Sequence, residues 1–318
     1  MKTLRTWTLA TCCCIGSILL AQEPSYSTQE ILKDLEFFNG WEAAQLAPNF
    51  KKKQLTNFRS PLMRQLAKSM IEGNYQKEYR LKTYRPIASN KILQNKLKLS
   101  DGYSRYENIT GMYLEKGENV VLVGDMHGRE INLLIPDWMR QPTPGFAPTK
   151  DPEGWELKKQ VIALHEGVNV IHVEKAGNVY IDYFADDPET APGVTIHFVT
   201  GKVNGYFDAE TQTNKDWNKL LDQAVSPVMD VKTRYMQLAY PVEFLKKFDY
   251  GKGKELAQAY DQIMTQQYEF CGALKYNRVP EKRILARVNF NYFMFRDGDG
   301  VAFLGNESTM KSALGPDI

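Results

Sequence analysis

Val-Thr-Ile-His-Phe-Val-Thr-Gly-Lys-Val-Asn-Gly-Tyr-Phe-Asp, from Val194 to Asp208, divides the 318-residue chain into two kinds of pattern. Its first half is β-branched and aromatic, with Ile196 and Phe198 two apart, which predicts a strand with one buried face. Gly201 and Gly205 then predict a tight reversal, because glycine alone takes positive φ or a close backbone approach without steric cost. Before this stretch the sequence is β-rich, and after it mostly helical. The stretch is therefore the expected seam between two architectures.

Working back to the start, Lys2 and Arg5 precede an uncharged run from Thr6 to Leu20 that ends at Ala21. This is the pattern of a secretory signal peptide over residues 1–21, with export to the periplasm, cell surface or medium. Lipidation at Cys12 fits poorly, because only Leu9-Ala10-Thr11 precedes it and the apolar region continues beyond. No later run approaches the roughly 20 apolar residues of a membrane span. Three of the four cysteines lie in the leader, so Cys271 stands alone and no internal disulfide is expected. Without Lys2 and Arg5 the basic residues equal the 38 acidic ones, which leaves no electrostatic footprint for nucleic acid. The remaining roughly 300 residues suffice for two domains.

Residues 22–100 read as helical. Ser27 with Glu30 forms a capping box ahead of Ile31, Leu35 and Phe38, and Ser60-Pro61 opens a second helix that stops at Gly73. Lys51-Lys52-Lys53 reads as a solvated loop, since no aromatic or glycine-rich cradle accompanies it. Residues 101–208 change to a period of two: Gly111–Leu114, Asn119–Val123, Ile131–Ile135, Asn169–Val173 and Val179–Tyr183 are short strands of a β-sandwich-like domain. The prolines and glycines between Pro136 and Trp155 mark a long loop, either functional or a packed connection. Residues 209–318 carry helices opened by Asp216-Trp217 and Pro241. A longer one, from Lys254 to Leu274, has a stripe of Leu256, Tyr260, Ile263, Gln267, Phe270 and Leu274 and holds Cys271 as a small buried filler. A β-rich segment from Ile284 follows, then the turn Asp297–Gly300 and Val301–Gly305.

The ordered set Tyr106-Glu107-Asn108-Ile109-Thr110-Gly111-Met112-Tyr113, Lys116-Gly117-Glu118, Ile131–Pro136, Glu166–Asn169, Gly177–Ile181 and Ile196-His197-Phe198 through Gly205–Asp208 resembles the enhancin-like zinc metallopeptidases, peptidase family M60. The resemblance implies an α+β protein: N-terminal helices, a β-sandwich-like domain, then the opening part of a zincin-type catalytic domain. It also implies a secreted enzyme that cleaves mucin-type O-glycosylated proteins with zinc, and it places Val301, Ala302, Phe303 and Leu304 on the edge strand that pairs with extended substrate. The same resemblance puts the active-site helix beyond Ile318, so the apolar face of the segment from Ile284 is expected to lack its cover.

The family's chemistry needs two histidines one helical turn apart, a glutamate base and a third ligand. No His-Glu-x-x-His occurs; His165-Glu166-Gly167-Val168-Asn169 has asparagine at the second ligand position and runs into a glycine turn. No catalytic or metal-ligating residue is therefore assigned, no zinc is expected in these residues, and the chain is expected to be inactive alone. Asp297–Gly300 is not a calcium loop, since Ser308 stands where a bidentate carboxylate belongs. Phosphate-loop, dinucleotide and nucleophile-elbow motifs are absent. The alternative is a non-catalytic glycan- or protein-binding module in which Trp138, Trp155 and Trp217 stack on sugars.

Overall fold

The computed structural model describes residues 27–98 and 104–314. The expected leader, with Cys12, lies outside the described residues, and so does the start of the expected second domain at Asp101. In chain order the structure begins with α1 (Thr28–Asp34), α2 (Pro61–Ile71), the single turn α3 (Lys77–Arg80), strands β1 (Leu81–Tyr84) and β2 (Ile87–Ala88), and α4 (Asn90–Leu97). The Ser27 capping box is present: the Glu30 amide donates to Ser27 Oγ at 3.3 Å and the Ser27 amide to Glu30 Oε2 at 2.9 Å. Ser60 caps α2 with Pro61 at its first position. The three lysines at 51–53 are exposed.

Ten further strands follow: β3 (Asn108–Leu114), β4 (Gly117–Val123), β5 (Asn132–Pro136), β6 (Lys159–Ala163), β7 (Gly167–Val173), β8 (Gly177–Asp182), β9 (Phe184–Ala185), β10 (Val194–Phe198), β11 (Lys202–Val203) and β12 (Phe207–Asp208). Eight of them, with β1, build a sandwich from a four-stranded sheet, β1-β10-β4-β7, and a five-stranded sheet, β11-β3-β8-β5-β6, while β9 pairs with β2. β1 pairs antiparallel with β10, Leu81 opposite His197, so the helical segment contributes a strand to the sandwich. Alternation assigns the faces. Val121, Val123, Ile171 and Ile196 of the first sheet meet Met112, Leu114, Leu133 and Ile181 of the second. Val120, Leu122 and Val168 point the other way and pack under Ile31, Phe38, Phe58, Met63 and Leu66.

The chain continues through α5 (Asn214–Gln223), β13 (Val228–Lys232), β14 (Met236–Pro241), α6 (Val242–Asp249), α7 (Gly253–Phe270), β15 (Ile284–Asn289), β16 (Phe295–Arg296), β17 (Gly300–Leu304) and α8 (Glu307–Leu314). The strands form a mixed sheet ordered β12-β13-β14-β15-β17-β16, with α6 and α7 in the crossover between the parallel strands β14 and β15. The Val194–Asp208 stretch is a seam in a literal sense, because β10, β11 and β12 each belong to a different sheet. Gly201 holds φ at +84°, and a Cβ there would lie 2.8 Å from the Tyr113 carbonyl oxygen. Arg80 fastens the reversal by donating to the carbonyls of Phe198, Val199, Thr200 and Gly201 at 2.7–3.3 Å.

The second sandwich sheet meets the mixed sheet through a buried polar node. Asp230 on β13 accepts from Tyr180 Oη at 2.8 Å, Asn178 Nδ2 at 3.1 Å and Gln237 Nε2 at 3.1 Å, while Trp138 Nε1 donates to Tyr180 Oη at 3.1 Å. Burial raises the Asp230 pKa to about 6, and the three donors only partly offset it.

Three expectations for the second half are corrected. The buried stripe of α7 is Leu256, Ala257, Tyr260, Met264 and Tyr268, whereas Ile263 and Leu274 are partly exposed and Phe270 is 92% exposed. Cys271 is an exposed residue capping the end of that helix. The apolar face of the Ile284 segment has a cover: Met310, Ala313 and Leu314 of α8 are buried in the same core as Leu285, Ala286 and Val288.

Candidate substrate-binding edge

β17 is placed by sterics as much as by pairing. A Cβ on Gly300 would lie 1.9 Å from the Leu285 carbonyl oxygen, so only glycine lets β17 start this close to β15. β17 is the penultimate strand and not, as expected, the outermost one. β16 closes its outer side at two positions, Phe295 opposite Ala302 and Arg296 opposite Val301, and does not extend to Phe303 and Leu304.

The connection from β15 to β16 is held in shape by asparagines. Asn289 accepts from the Tyr292 amide at 2.9 Å and donates to the Phe293 carbonyl at 3.0 Å, a local side-chain turn that projects Tyr292, Phe293 and Met294. Phe293 and Met294 are 70% and 65% exposed. Arg287 underlies the connection, with its guanidinium 5.3 Å from the Phe295 ring and Nη2 donating to Asp297 Oδ2 at 2.7 Å. Burial alone would raise Asp297, but the Arg287 bond and charge and two backbone amides outweigh it and hold the carboxyl below its ordinary value.

Trp155 lies against this connection. Its ring stacks on Tyr292 at 5.3 Å and 26° and meets Phe295 edge-on at 4.7 Å and 78°. The long loop that carries it is a built structure. The buried Asp151 carboxylate accepts from the Thr143 amide, the Thr143 hydroxyl and the Glu153 amide, and Arg140 donates to the Gly154 and Glu156 carbonyls. The structure thus brings Trp155 and the Val301–Leu304 strand together, with Phe295 touching the one and pairing with the other.

The other two tryptophans cannot stack on a ligand. Trp138 is buried against Tyr106 and Tyr180, and Trp217 is fully buried with Nε1 donating to the Asp249 carbonyl at 2.9 Å. Each indole satisfies its N–H inside the core, an environment that residue type does not reveal. Tyr292, Phe293, Phe295 and the supporting Asn289 and Arg287 were not singled out from the sequence. The density of rings and asparagines in Asn289-Phe290-Asn291-Tyr292-Phe293-Met294-Phe295 is the signal that would have found them.

The histidines are dispersed. His165 sits at the β6–β7 turn, its ring bonded to the Glu166 carbonyl, and Glu166 accepts from the Met126 amide. His197 is buried between Tyr75 Oη, 2.9 Å from Nε2, and the Glu42 carbonyl, and burial lowers its pKa to about 4. His127 lies beside Asp125, and His172 is exposed on β7. Among the described residues no three His, Cys, Asp or Glu side chains are grouped to hold a metal ion.

The fold is similar to part of several solved metallopeptidases. The chain superposes on a metallopeptidase from Bacteroides thetaiotaomicron with a TM-score of 0.73 and 19% identity, covering 93% of this chain and 49% of that one. A metallopeptidase in complex with Tn antigen matches at TM-score 0.63 and 20% identity over 77% of this chain and 44% of its own. The M60 catalytic domain of Clostridium perfringens ZmpC, in complex with the sialyl T antigen, matches at TM-score 0.57 and 15% identity over 74% and 50%. The chain therefore spans about half the length of the solved structures it matches. No curated protein sequence matches it. Residues 203–298 match the sequence model of Peptidase M60, enhancin and enhancin-like. Over that segment the chain is similar to the enhancin-like M60 family, whose members are zinc metallopeptidases.

Proposed function

We propose that this chain belongs to an exported zinc metallopeptidase acting on mucin-type O-glycosylated proteins, and that its described residues position substrate and leave the hydrolytic step to groups outside them. The observation that carries this reading is the contact of Trp155 with Phe295, which joins an exposed aromatic ring to the strand pair β16–β17. An extended peptide would run along β17 past the end of β16, using backbone hydrogen bonds that tolerate varied side chains. Trp155, Tyr292 and Phe293 would offer faces for a sugar attached to that peptide. The family match over residues 203–298 and the two neighbours in complex with Tn and sialyl T antigens support the substrate class.

The test is binding of an O-glycosylated peptide, measured by calorimetry with the full chain. Trp155→Ala is expected to weaken it about tenfold, equivalent to about 1.4 kcal/mol. Unchanged affinity in that variant would remove the ledge from the reading. The exposed Trp155 ring also favours a second reading, a module that binds glycan or protein without any peptidase partner. Elemental analysis and a cleavage assay separate the two: stoichiometric zinc with peptide hydrolysis excludes the module.

A further inference from the structure

A second candidate site lies where the three sheets meet, and it shares no residue with the aromatic ledge. A cleft of about 220 Å³ is lined by Lys82 from β1, Glu107 beside β3, Tyr206 from the seam, Lys232 from β13 and Arg283 just before β15. Two of the cations are neutralised. Lys232 Nζ lies 2.8 Å from Asp208 Oδ2, and Arg283 binds the Glu107 carboxylate through its guanidinium and, at 3.0 Å, through its backbone amide. Lys82 is different. Its ammonium lies 5.4 Å from the Tyr84 ring centroid and 5.7 Å from that of Tyr206, and no carboxylate is within ion-pair distance of it among the described residues. Lys82 is exposed along its stem, and the packing around its ammonium together with the neighbouring Lys232 charge lowers its pKa against the opposing pull of Asp208.

The cleft thus holds three positive charges against two negative ones, and the surplus is the Lys82 ammonium. An ammonium without a carboxylate partner, set beside two ion-paired cations of the mixed sheet, attracts an anion. The aromatic faces attract the ammonium but offer Lys82 no hydrogen-bond acceptor. We propose that the cleft binds a small oxyanion, a carboxylate or sulfate-type group that is either free or the terminus of a larger molecule, seated on Lys82 with Lys232, Arg283 and the Tyr206 hydroxyl around it. Such a ligand bridges the N-terminal segment, the sandwich and the mixed sheet, so its binding stabilises their assembly by mass action.

Sodium sulfate titrated into the full chain, followed by thermal melting against sodium chloride of equal ionic strength, tests this. Sulfate is expected to raise the melting temperature in a saturable way that chloride does not reproduce. Lys82→Gln is expected to weaken the apparent affinity at least tenfold, and Lys82→Arg to restore most of it. Glucose 6-sulfate run in parallel identifies the source: tighter binding than sulfate means that the group is carried on a saccharide, and equal binding that the free ion suffices. The same rise in chloride, or a sulfate response unchanged in a folded Lys82→Gln, overturns the proposal.

Discussion

The two outer faces of the sandwich are buried in opposite ways. The first sheet turns Val120, Leu122 and Val168 toward Ile31, Phe58 and Met63, a mainly apolar contact whose one buried polar side chain from the sheet on that face, His197, bonds to Tyr75 and Glu42 of the cap. The second sheet turns Tyr180 and Asn178 toward Asp230 and Gln237, a contact that depends on hydrogen bonds. Apolar burial stabilises roughly in proportion to area and tolerates small shifts in orientation. A buried carboxylate tolerates none, because each donor that moves away leaves a desolvated charge. The helical cap is therefore glued to the sandwich, whereas the mixed sheet is registered against it.

The largest effect that separates the two contacts is expected from Asp230→Ala, which orphans donors of Tyr180, Asn178 and Gln237 at once. A loss of about 3–5 kcal/mol in urea unfolding is predicted, with the isosteric Asp230→Asn losing less. Leu122→Ala should cost about 2–5 kcal/mol, the range for buried leucine, and should leave the denaturant slope unchanged. An Asp230→Ala loss below that of Leu122→Ala would break the contrast.

The smallest effect is in pH. The Asp230 pKa, raised in the folded state from 3.8 to about 6, contributes stability that is fully present below pH 3.8 and lost as pH rises through 6. The His197 pKa, lowered from 6.5 to about 4, contributes stability that is present above pH 6.5 and lost as pH falls toward 4. Between pH 4 and 6 the two oppose each other, each by less than about 1.4 kcal/mol per pH unit. Asp230→Asn should therefore show steeper acid destabilisation than the parent and His197→Gln a shallower one, measured as unfolding midpoints from pH 4 to 6. Parallel pH profiles would show that the two groups are not set apart by their surroundings.

The apolar half of this contrast was legible in the sequence and the polar half was not. Strand alternation around Val121 and the Ser27 and Ser60 caps are local rules, and they located β4, α1 and α2 correctly. The α7 stripe failed because two apolar series, one through Ile263 and one through Met264, run along the same helix, and only the packed partner decides which is buried. Asp230 carries no local mark at all; its partners come from β8 and β14, and one carboxylate in a strand reads like any other. The site was half legible for the same reason. Val301–Leu304 is a strand in any reading, but Trp155 belongs beside it only because Asp151 folds a long loop back on itself.

The pairing of Leu81 with His197 has a consequence for synthesis. β1 leaves the ribosome more than a hundred residues ahead of β10, its strand partner among the described residues, an interval of roughly 6–23 s at 5–20 residues per second. Throughout that interval both edges of β1 are open to other chains, a recognised route to aggregation. Lys82, in the middle of β1, places a charge where apolar residues would invite mispairing, so the cation that faces the three-sheet cleft in the folded protein also guards the nascent one.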